Sequence, residues 1–236
     1  MARKSRSRTR GRWRLHLAAL IVLAGLVGAV WYWWDMRQWA PDEALYPDQG
    51  IAIDQRHGLT RFDTVRALGG KFAYLGASRG ADGQDTRFVR NLAAARQAGV
   101  KAGAVHVFDP CVRADGQSAN FARVVPRDPQ LLPPVILLDR AGDACERKAS
   151  DAAVESELLT LINQIEMHAG KPVILKPTEA FEARYHVGER FERDLWLVRG
   201  RFEPDYAGRP WLLWSANMAR VTEAADEPVE WAVVQP

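Results

Sequence analysis

LPPVILLDRAG, at Leu132–Gly142, is the most informative segment of this 236-residue chain. Two prolines in it precede an unbroken apolar run that stops at Asp139. An apolar run of this length between turn-forming residues is typical of a strand that is buried on both faces of a parallel sheet. The carboxyl ends of such strands carry the functional side chains of α/β proteins. The segment therefore predicts an α/β fold with Asp139 at its functional edge.

Further strands and helices alternate on both sides of this segment. Apolar residues at helical spacing predict helices over 62–68, 86–98 and 152–167, each with a glycine shortly after it. The other predicted strands occupy 50–58, 71–80, 100–108, 171–177, 194–200, 210–216 and 229–234. A chain of this length with 47% hydrophobic residues can bury one sizeable core, and a barrel of alternating strands and helices is a normal single domain at that size. We therefore predict one barrel domain over residues 49–236.

In order and spacing, these segments resemble the lysozymes of glycoside hydrolase family 25. GIAIDQRHG at 50–58 is similar to the family's opening strand, KFAYLGASRG at 71–80 to its second strand and VEWAVV at 229–234 to its closing strand. LPPVILLDRAG is similar to its fourth-strand pattern, L-P-P-V-x-D-x-E followed by a small residue and glycine. The resemblance covers about residues 50–234. It implies an irregular (β/α) TIM-like barrel of parallel strands, directed at peptidoglycan or another cell-envelope glycan, with no cofactor.

The carboxylate positions of the family differ in this chain. The resemblance implies that the Glu of the D-x-E pattern is the acid and that three Asp residues support it. These four positions read Asp139, Ala52, Leu137 and Glu230, so two carboxylates are missing and the other two have exchanged length. Asp54 lies two residues beyond position 52, and residues two apart in a strand point to the same face. Asp139, Glu230 and Asp54 are therefore the candidate catalytic residues.

Three functions remain open on the sequence alone. The first is a muramidase-type hydrolase with relocated carboxylates, because glycoside cleavage needs a pair of such groups. The second is a pseudoenzyme that binds glycan without cutting it, and the third is an envelope scaffold that serves a protein partner. Asp139 could also pair with Arg79 or Arg140, and such a pairing would lower its pKa and remove its function as an acid.

Four further side chains are candidates for substrate binding. Trp196 and Trp214 lie near strand ends, where an aromatic ring could stack on a sugar, although large aromatic residues also dominate cores. His106 stands where the family keeps a histidine, and a lone histidine in a strand is often a core residue. Arg79 stands where the family has a glutamate. We find no cluster with the spacing of metal ligands.

The amino-terminal segment has the composition of a membrane anchor. Seven basic residues within 1–14 precede Leu15–Trp34, which contains no Asp, Glu, Lys or Arg. Its length matches the ~20 residues that cross a bilayer as a helix. The aromatic run Trp31–Trp34 fits the far interface, and the basic cluster fits the cytoplasmic side. A cleaved secretory signal is the alternative, but the apolar stretch is too long and ends without a small-residue cleavage site.

This pattern sets the expected organisation and location. We predict a basic cytoplasmic tail at 1–14, a retained transmembrane anchor at 15–34 and a polar connector at 35–48. The protein would be a single-pass, monomeric protein of the cell inner membrane with its carboxyl-terminal domain in the periplasm. The net charge of +3 comes from the leading basic cluster, and acidic residues outnumber basic ones in the remainder. Nucleic acid is therefore not an expected partner.

The chain contains two cysteines, Cys111 and Cys145. Each follows the carboxyl end of a predicted strand, and the two strands are consecutive, so the two loops should be adjacent. An oxidising compartment would permit a disulfide between them. Two unpaired structural cysteines are the alternative.

Overall fold

The computed structural model describes residues 8–236. Arg3, Lys4 and Arg6 of the basic cluster lie outside the described residues. The chain divides into two compact units, one ending at Trp39 and the other comprising Ala40–Pro236. The first unit contains the helix α1, and the second contains a barrel.

α1 (Arg8–Gln38) is the helix that, within residues 8–236, is long and apolar enough to cross a membrane. Its apolar side chains are exposed along its length, with 70% of Leu15, 66% of Leu20 and 69% of Trp31 accessible. A helix that is apolar all round is typical of a segment surrounded by lipid or by a large core. The helix includes the predicted span 15–34 and fits either a signal anchor or a membrane span.

The predicted connector at 35–48 is divided between the two units. Residues 35–38 are the last turn of α1. Residues 40–48 are held by the barrel, because the buried Gln49 side chain donates hydrogen bonds to the carbonyl oxygens of Pro41 and Tyr46, each at 3.0 Å. The ring of Tyr46 also packs edge-on against Trp214, at 5.7 Å between centroids.

Within residues 8–236, eight strands close into a barrel in the order β1, β2, β4, β5, β6, β7, β8 and β9, with β1 next to β9. The strands are β1 (Gln49–Ile53), β2 (Gly70–Arg79), β3 (Gly83–Gln84), β4 (Lys101–Val107), β5 (Val135–Leu138), β6 (Ile174–Pro177), β7 (Asp194–Val198), β8 (Leu213–Arg220) and β9 (Val229–Val234). The short β3 pairs with the end of β2 outside the closed ring. The predicted α/β barrel preceded by an apolar helix is confirmed.

The strand β9 runs antiparallel to both of its neighbours, β1 and β8. The other pairs in the ring are parallel. A parallel pair needs a long crossover connection, whereas an antiparallel pair can be joined by a short loop. Residues 221–228 form such a loop, so the prediction of parallel strands holds for the rest of the ring but not for this strand.

The helices of the barrel unit are α2 (Phe62–Ala67), α3 (Phe88–Gln97), α4 (Ala114–Val124), α5 (Asp151–Ala169), α6 (Glu179–Tyr185) and α7 (Val187–Arg190). α5 begins where the Ser150 side chain accepts a hydrogen bond from the backbone of Ala153, and it ends at Gly170 in the left-handed conformation. α4 was not predicted. Its buried face includes Gln117 and Asn120, and these polar residues interrupt the apolar periodicity on which the sequence prediction rests.

Candidate functional site

The mouth of the barrel, at the carboxyl ends of the parallel strands, contains a cavity of about 600 Å³. We call it the mouth cavity. Asp54, Asp139, Glu230 and Arg79 all line it. The structure therefore brings the three candidate carboxylates and the candidate arginine to one site, although they come from four different strands or strand ends.

The two positions without a carboxylate line the same cavity. Ala52 pairs with Glu230 across the β1–β9 ladder, and Leu137 pairs with Lys176 across the β5–β6 ladder. Val105 also lines this wall of the cavity. The wall is therefore apolar at the two positions where the family resemblance implies acidic groups.

Lys176 and Glu230 form an ion pair deep in the mouth cavity. Their side chains are 7% and 17% exposed. Ser215 donates a second hydrogen bond to the same Glu230 oxygen, and the Trp196 indole donates to Ser215 Oγ at 2.6 Å. The Lys176 ammonium also lies 3.9 Å from the centre of the Trp196 ring. Glu230 is thus engaged by a buried cation and a hydroxyl.

Lys176 is a residue of the site that was not predicted from the sequence. The sequence does contain a signal for this residue. KPVILKP at 171–177 is similar to the family segment K-P-I-I-Y-T-S, and it has a lysine where the family segment has a threonine. A lysine at the end of an otherwise apolar strand, two residues after Ile174, points into the barrel by strand parity.

Asp54 is bound by its neighbours in the turn after β1. Its carboxylate accepts hydrogen bonds from the side chain and the backbone of Arg56 and lies 3.1 Å from His57 Nδ1. Partial burial by itself would raise the pKa of Asp54, but the contacts with His57 and Arg56 outweigh it and hold the pKa well below its usual range. Asp54 is therefore a poor proton donor.

Asp139 is about one-third exposed and lies 3.8 Å from Arg79 Nη1. This is one of the two pairings that the sequence left open. Arg140 instead pairs with Asp109 at 3.3 Å. The arginine in the family's glutamate position thus faces the carboxylate that replaces the family's acid.

Asp85 is a further carboxylate of the mouth cavity, and it was not predicted from the sequence. Burial, helped by the nearby charge of Asp54, raises its pKa, although backbone N–H groups of Arg87 and Gln55 donate to it at 2.8 and 2.7 Å. Gly76 makes room for the two acids, since a Cβ atom there would lie 2.9 Å from Asp54 Cβ and 3.1 Å from Asp85 Oδ2. Asp85 stands three residues before α3, where an acidic residue is an ordinary turn signal that does not reveal the cavity.

Trp196, Trp214 and His106 are core residues, which corrects their assignment to glycan contact. Trp196 is fully buried inside the barrel, where its ring packs against Tyr74 at 5.0 Å and beneath Lys176. Trp214 is 3% exposed and donates its indole hydrogen to the Arg199 carbonyl at 2.7 Å. Because the burial leaves their ring faces covered, a sugar has no surface to stack on.

His106 lies between the sheet and α4. Its ring is fully buried, with Nδ1 2.8 Å from Ser78 Oγ and Nε2 3.3 Å from Gln117 Oε1. Burial lowers the pKa of His106 to about 4, so the ring is neutral at physiological pH. It supports the strand β4 from behind the mouth cavity.

Cys111 and Cys145 form a disulfide in the structure, with their Cα atoms 5.3 Å apart. The bond joins the loops that follow β4 and β5, so the expected adjacency of these loops is observed. The Asp109–Arg140 ion pair links the same two loops, and Arg140 Nη2 also donates to the Ala144 carbonyl at 2.8 Å. A disulfide and an ion pair therefore hold the loops after β4 and β5 together on one side of the barrel mouth.

Residues 51–216 match the profile of the family described as Glycosyl hydrolases family 25. This match covers more than half of the chain, and the protein belongs to that family. The Escherichia coli protein YegX is 26% identical over 167 residues, which are 69% of this chain and 58% of YegX. The chain thus spans just over half the length of the curated relative that it matches.

Solved structures share the fold. A family 25 glycosyl hydrolase from Bacillus anthracis has a TM-score of 0.76 at 23% identity, covering 85% of this chain and 93% of that one. The bacterial lysozyme from Streptomyces coelicolor has a TM-score of 0.71 at 19% identity, covering 80% of this chain and 92% of that one. The resemblance that the strand motifs predicted is therefore confirmed.

Proposed function

We propose that this protein is a membrane-anchored member of glycosyl hydrolase family 25 that binds peptidoglycan in the mouth cavity and cleaves it very weakly or not at all. The observation that carries this proposal is the buried Lys176–Glu230 ion pair, which places a cation among the positions where the family resemblance implies carboxylates. Structural relatives include a bacterial lysozyme and the muramidase from Acremonium alcalophilum, which supports a cell-wall glycan as the ligand.

Loss of hydrolysis follows from the state of the three candidate acids. A glycosidase needs one protonated carboxyl group and a second group that stabilises the cationic sugar or activates water. Asp54 has a lowered pKa, and Glu230 is paired with Lys176. Asp139 is one methylene shorter than the family's acid and faces Arg79, and a displacement of about 1 Å can cost on the order of a hundredfold in rate.

The cationic groups also oppose the chemistry directly. A positively charged transition state is stabilised by nearby negative charge and destabilised by nearby positive charge. Lys176 and Arg79 both line the cavity, while positions 52 and 137 contribute no charge. Arg79, whose side chain is 63% exposed, remains available to donate hydrogen bonds to sugar hydroxyl and carboxylate oxygens, so binding is retained in this proposal.

The location belongs to the same proposal. α1 would be a retained single-pass anchor in the cell inner membrane, with the monomeric barrel in the periplasm and no nucleic acid partner. The length and apolar surface of α1 support this, and so does the disulfide, because disulfides persist in oxidising compartments.

An active hydrolase is the second candidate, and the convergence of Asp54, Asp139 and Glu230 on one cavity favours it. The test is chromatographic analysis of the muropeptides that the full-length protein releases from purified cell wall, together with sedimentation on that wall. Wild type, Asp139→Asn and the exposed control Glu192→Gln are compared. Binding without release by any of them supports the proposal. Robust release by wild type and Glu192→Gln that disappears in Asp139→Asn would overturn it and identify Asp139 as the acid.

A further inference from the structure

A cavity of about 590 Å³ lies at the amino-terminal ends of the parallel strands, at the end of the barrel opposite the mouth. We call it the base cavity. Its volume is within the range of ~300–1,000 Å³ that small-molecule sites occupy. Its apolar wall includes Phe72, Tyr74, Leu132, Ile174, Leu213 and Val234. No residue of the mouth cavity contributes to this set, so the site is separate from the proposed glycan site and does not rest on it.

The rim of the base cavity carries an unpaired cation. Lys71 is neutralised by Asp48 at 3.1 Å, and Arg66 donates to the carbonyl oxygen of Ala98 at 2.8 Å. Lys101 is exposed and, in the part of the chain that the structure describes, has neither an ion pair nor a hydrogen bond. Three cations, Arg66, Lys71 and Lys101, face two carboxylates, Asp48 and Glu43, in the lining of the cavity, so the balance of 3 − 2 leaves one net positive charge for a single anionic group.

Tyr74 supplies a second polar group on the same wall. It is 3% exposed, and its hydroxyl has no hydrogen-bond partner among residues 8–236. Burial, and to a smaller extent the charge of Asp194, raises the pKa of Tyr74, so the hydroxyl stays protonated as a donor. Tyr74 lines the base cavity, so its hydroxyl is a free donor that an oxygen atom of a ligand there could accept from.

The strand register places Tyr74 and Lys101 on the same wall of the base cavity. Tyr74 pairs with Gly103 and Phe72 pairs with Lys101, and residues 101 and 103 point to the same face of β4. A Cβ atom at Gly103 would overlap the Tyr74 ring, so the glycine is what allows the ring to lie there. The ring therefore lies over β4 at Gly103, two residues along the strand from Lys101.

From these observations we infer that the base cavity binds an acyl-chain carboxylate. The carboxylate accepts from the Lys101 ammonium and the Tyr74 hydroxyl, and the alkyl chain packs against the apolar wall at Leu132, Leu213 and Val234. A monoanionic head matches the net positive charge of the cavity lining, and the chain matches its apolar wall. The membrane around α1 is the source of such a ligand, and this step rests on the membrane anchor of the proposed function.

Photochemical labelling of the full-length protein in phosphatidylcholine nanodiscs tests the site. The probe is dodecanoate with a diazirine near the end of its chain, and the labelled peptides are mapped by mass spectrometry. We expect label on peptides containing Phe72–Tyr74 or Leu212–Leu213. Excess unlabelled dodecanoate should remove this label, and dodecanol, which lacks the charge, should not.

Two conservative variants make the test specific. Tyr74→Phe removes one oxygen without changing the ring, and Lys101→Gln removes an exposed charge. Each should reduce labelling at a subsaturating probe concentration roughly tenfold, the effect expected for loss of a hydrogen bond to a charged group. The exposed control Lys148→Gln should leave it unchanged. Label confined to α1, or equal labelling in wild type and both variants, would overturn the proposal.

Discussion

Lys176 and Glu230, which are 54 positions apart in the sequence, form an ion pair inside the barrel mouth. The pair lies above the Trp196 ring and next to Leu137, where the family resemblance implies an acidic residue. A site that is expected to hold several carboxylates thus holds a salt bridge. This relationship decides how the remaining acids of the cavity can act.

Replacing one member of this ion pair should destabilise the barrel more than replacing both members. Lys176→Met leaves Glu230 buried without its cation, and loss of one partner of a buried pair costs about 3–5 kcal/mol. Glu230→Gln should be similarly costly, and the double variant should cost clearly less than the sum of the two. Urea unfolding, followed by tryptophan fluorescence, measures the free energy of unfolding of full-length wild type, the two single variants and the double variant. Additive single effects would show that the pair has no energetic coupling.

Restoring the family's carboxylates should restore hydrolysis only when Lys176 is also replaced. Ala52→Asp, Leu137→Asp and Asp139→Glu rebuild the acids, but Lys176 adjoins position 137 and would pair with the new carboxylate. We expect muropeptide release from purified cell wall by the fourfold variant that adds Lys176→Thr, and little release by the threefold variant. Equal muropeptide release by the threefold and fourfold variants would show that Lys176 is not a cause of the lost hydrolysis.

Asp54 should stabilise the fold in a pH-dependent way. Its pKa is lower in the folded protein than in the unfolded chain, so the ionised group contributes stability above about pH 4, and that contribution is lost as the pH falls through the folded value. Asp54→Asn should therefore be less stable than wild type at pH 7, with a difference that shrinks below pH 4. Denaturant unfolding from pH 7 to pH 2 measures this, with Glu192→Gln as the control. A difference that is constant over this range would contradict the role given to the Arg56 and His57 contacts.

The disulfide should be present in protein taken from the cell envelope. Non-reducing mass spectrometry should show a linked peptide pair containing Cys111 and Cys145. Replacing both cysteines by serine should lower the free energy of unfolding by about 2–4 kcal/mol, because the bond closes a loop of intermediate length. Alkylation of both thiols in freshly isolated, unreduced protein would rule the bridge out.

Topology is tested by reporter fusions after Pro236. If α1 keeps the amino terminus in the cytoplasm, a reporter that functions only in the periplasm should be active, and a cytoplasmic reporter should not. Replacing the basic residues of 1–14 by glutamine should weaken this preference, since the orientation depends on them. Activity of the cytoplasmic reporter alone would reverse the proposed location.

Much of the fold could be predicted because apolar periodicity is a local property. β9 was predicted at its observed bounds, and α5 was predicted within three residues of both of its observed ends. α4 escaped because Gln117 and Asn120 on its buried face bond to loops instead of packing against apolar side chains. The antiparallel direction of β9 was not predicted either, because strand direction depends on the path of the connecting loop in the tertiary structure.

For the site, strand parity and family motifs were enough to place Asp54, Asp139 and Glu230 at the barrel mouth and to show that positions 52 and 137 carry no charge. The contacts of these residues needed the tertiary structure. The engagement of Glu230 by Lys176 and the raised pKa of Asp85 depend on side chains that are distant in sequence and on burial. The sequence thus determined the family, the succession of the strands along the chain and the missing carboxylates, because each of these follows from local sequence patterns. Only the folded barrel decided which charges meet, because electrostatic partners are set by distance and desolvation in three dimensions.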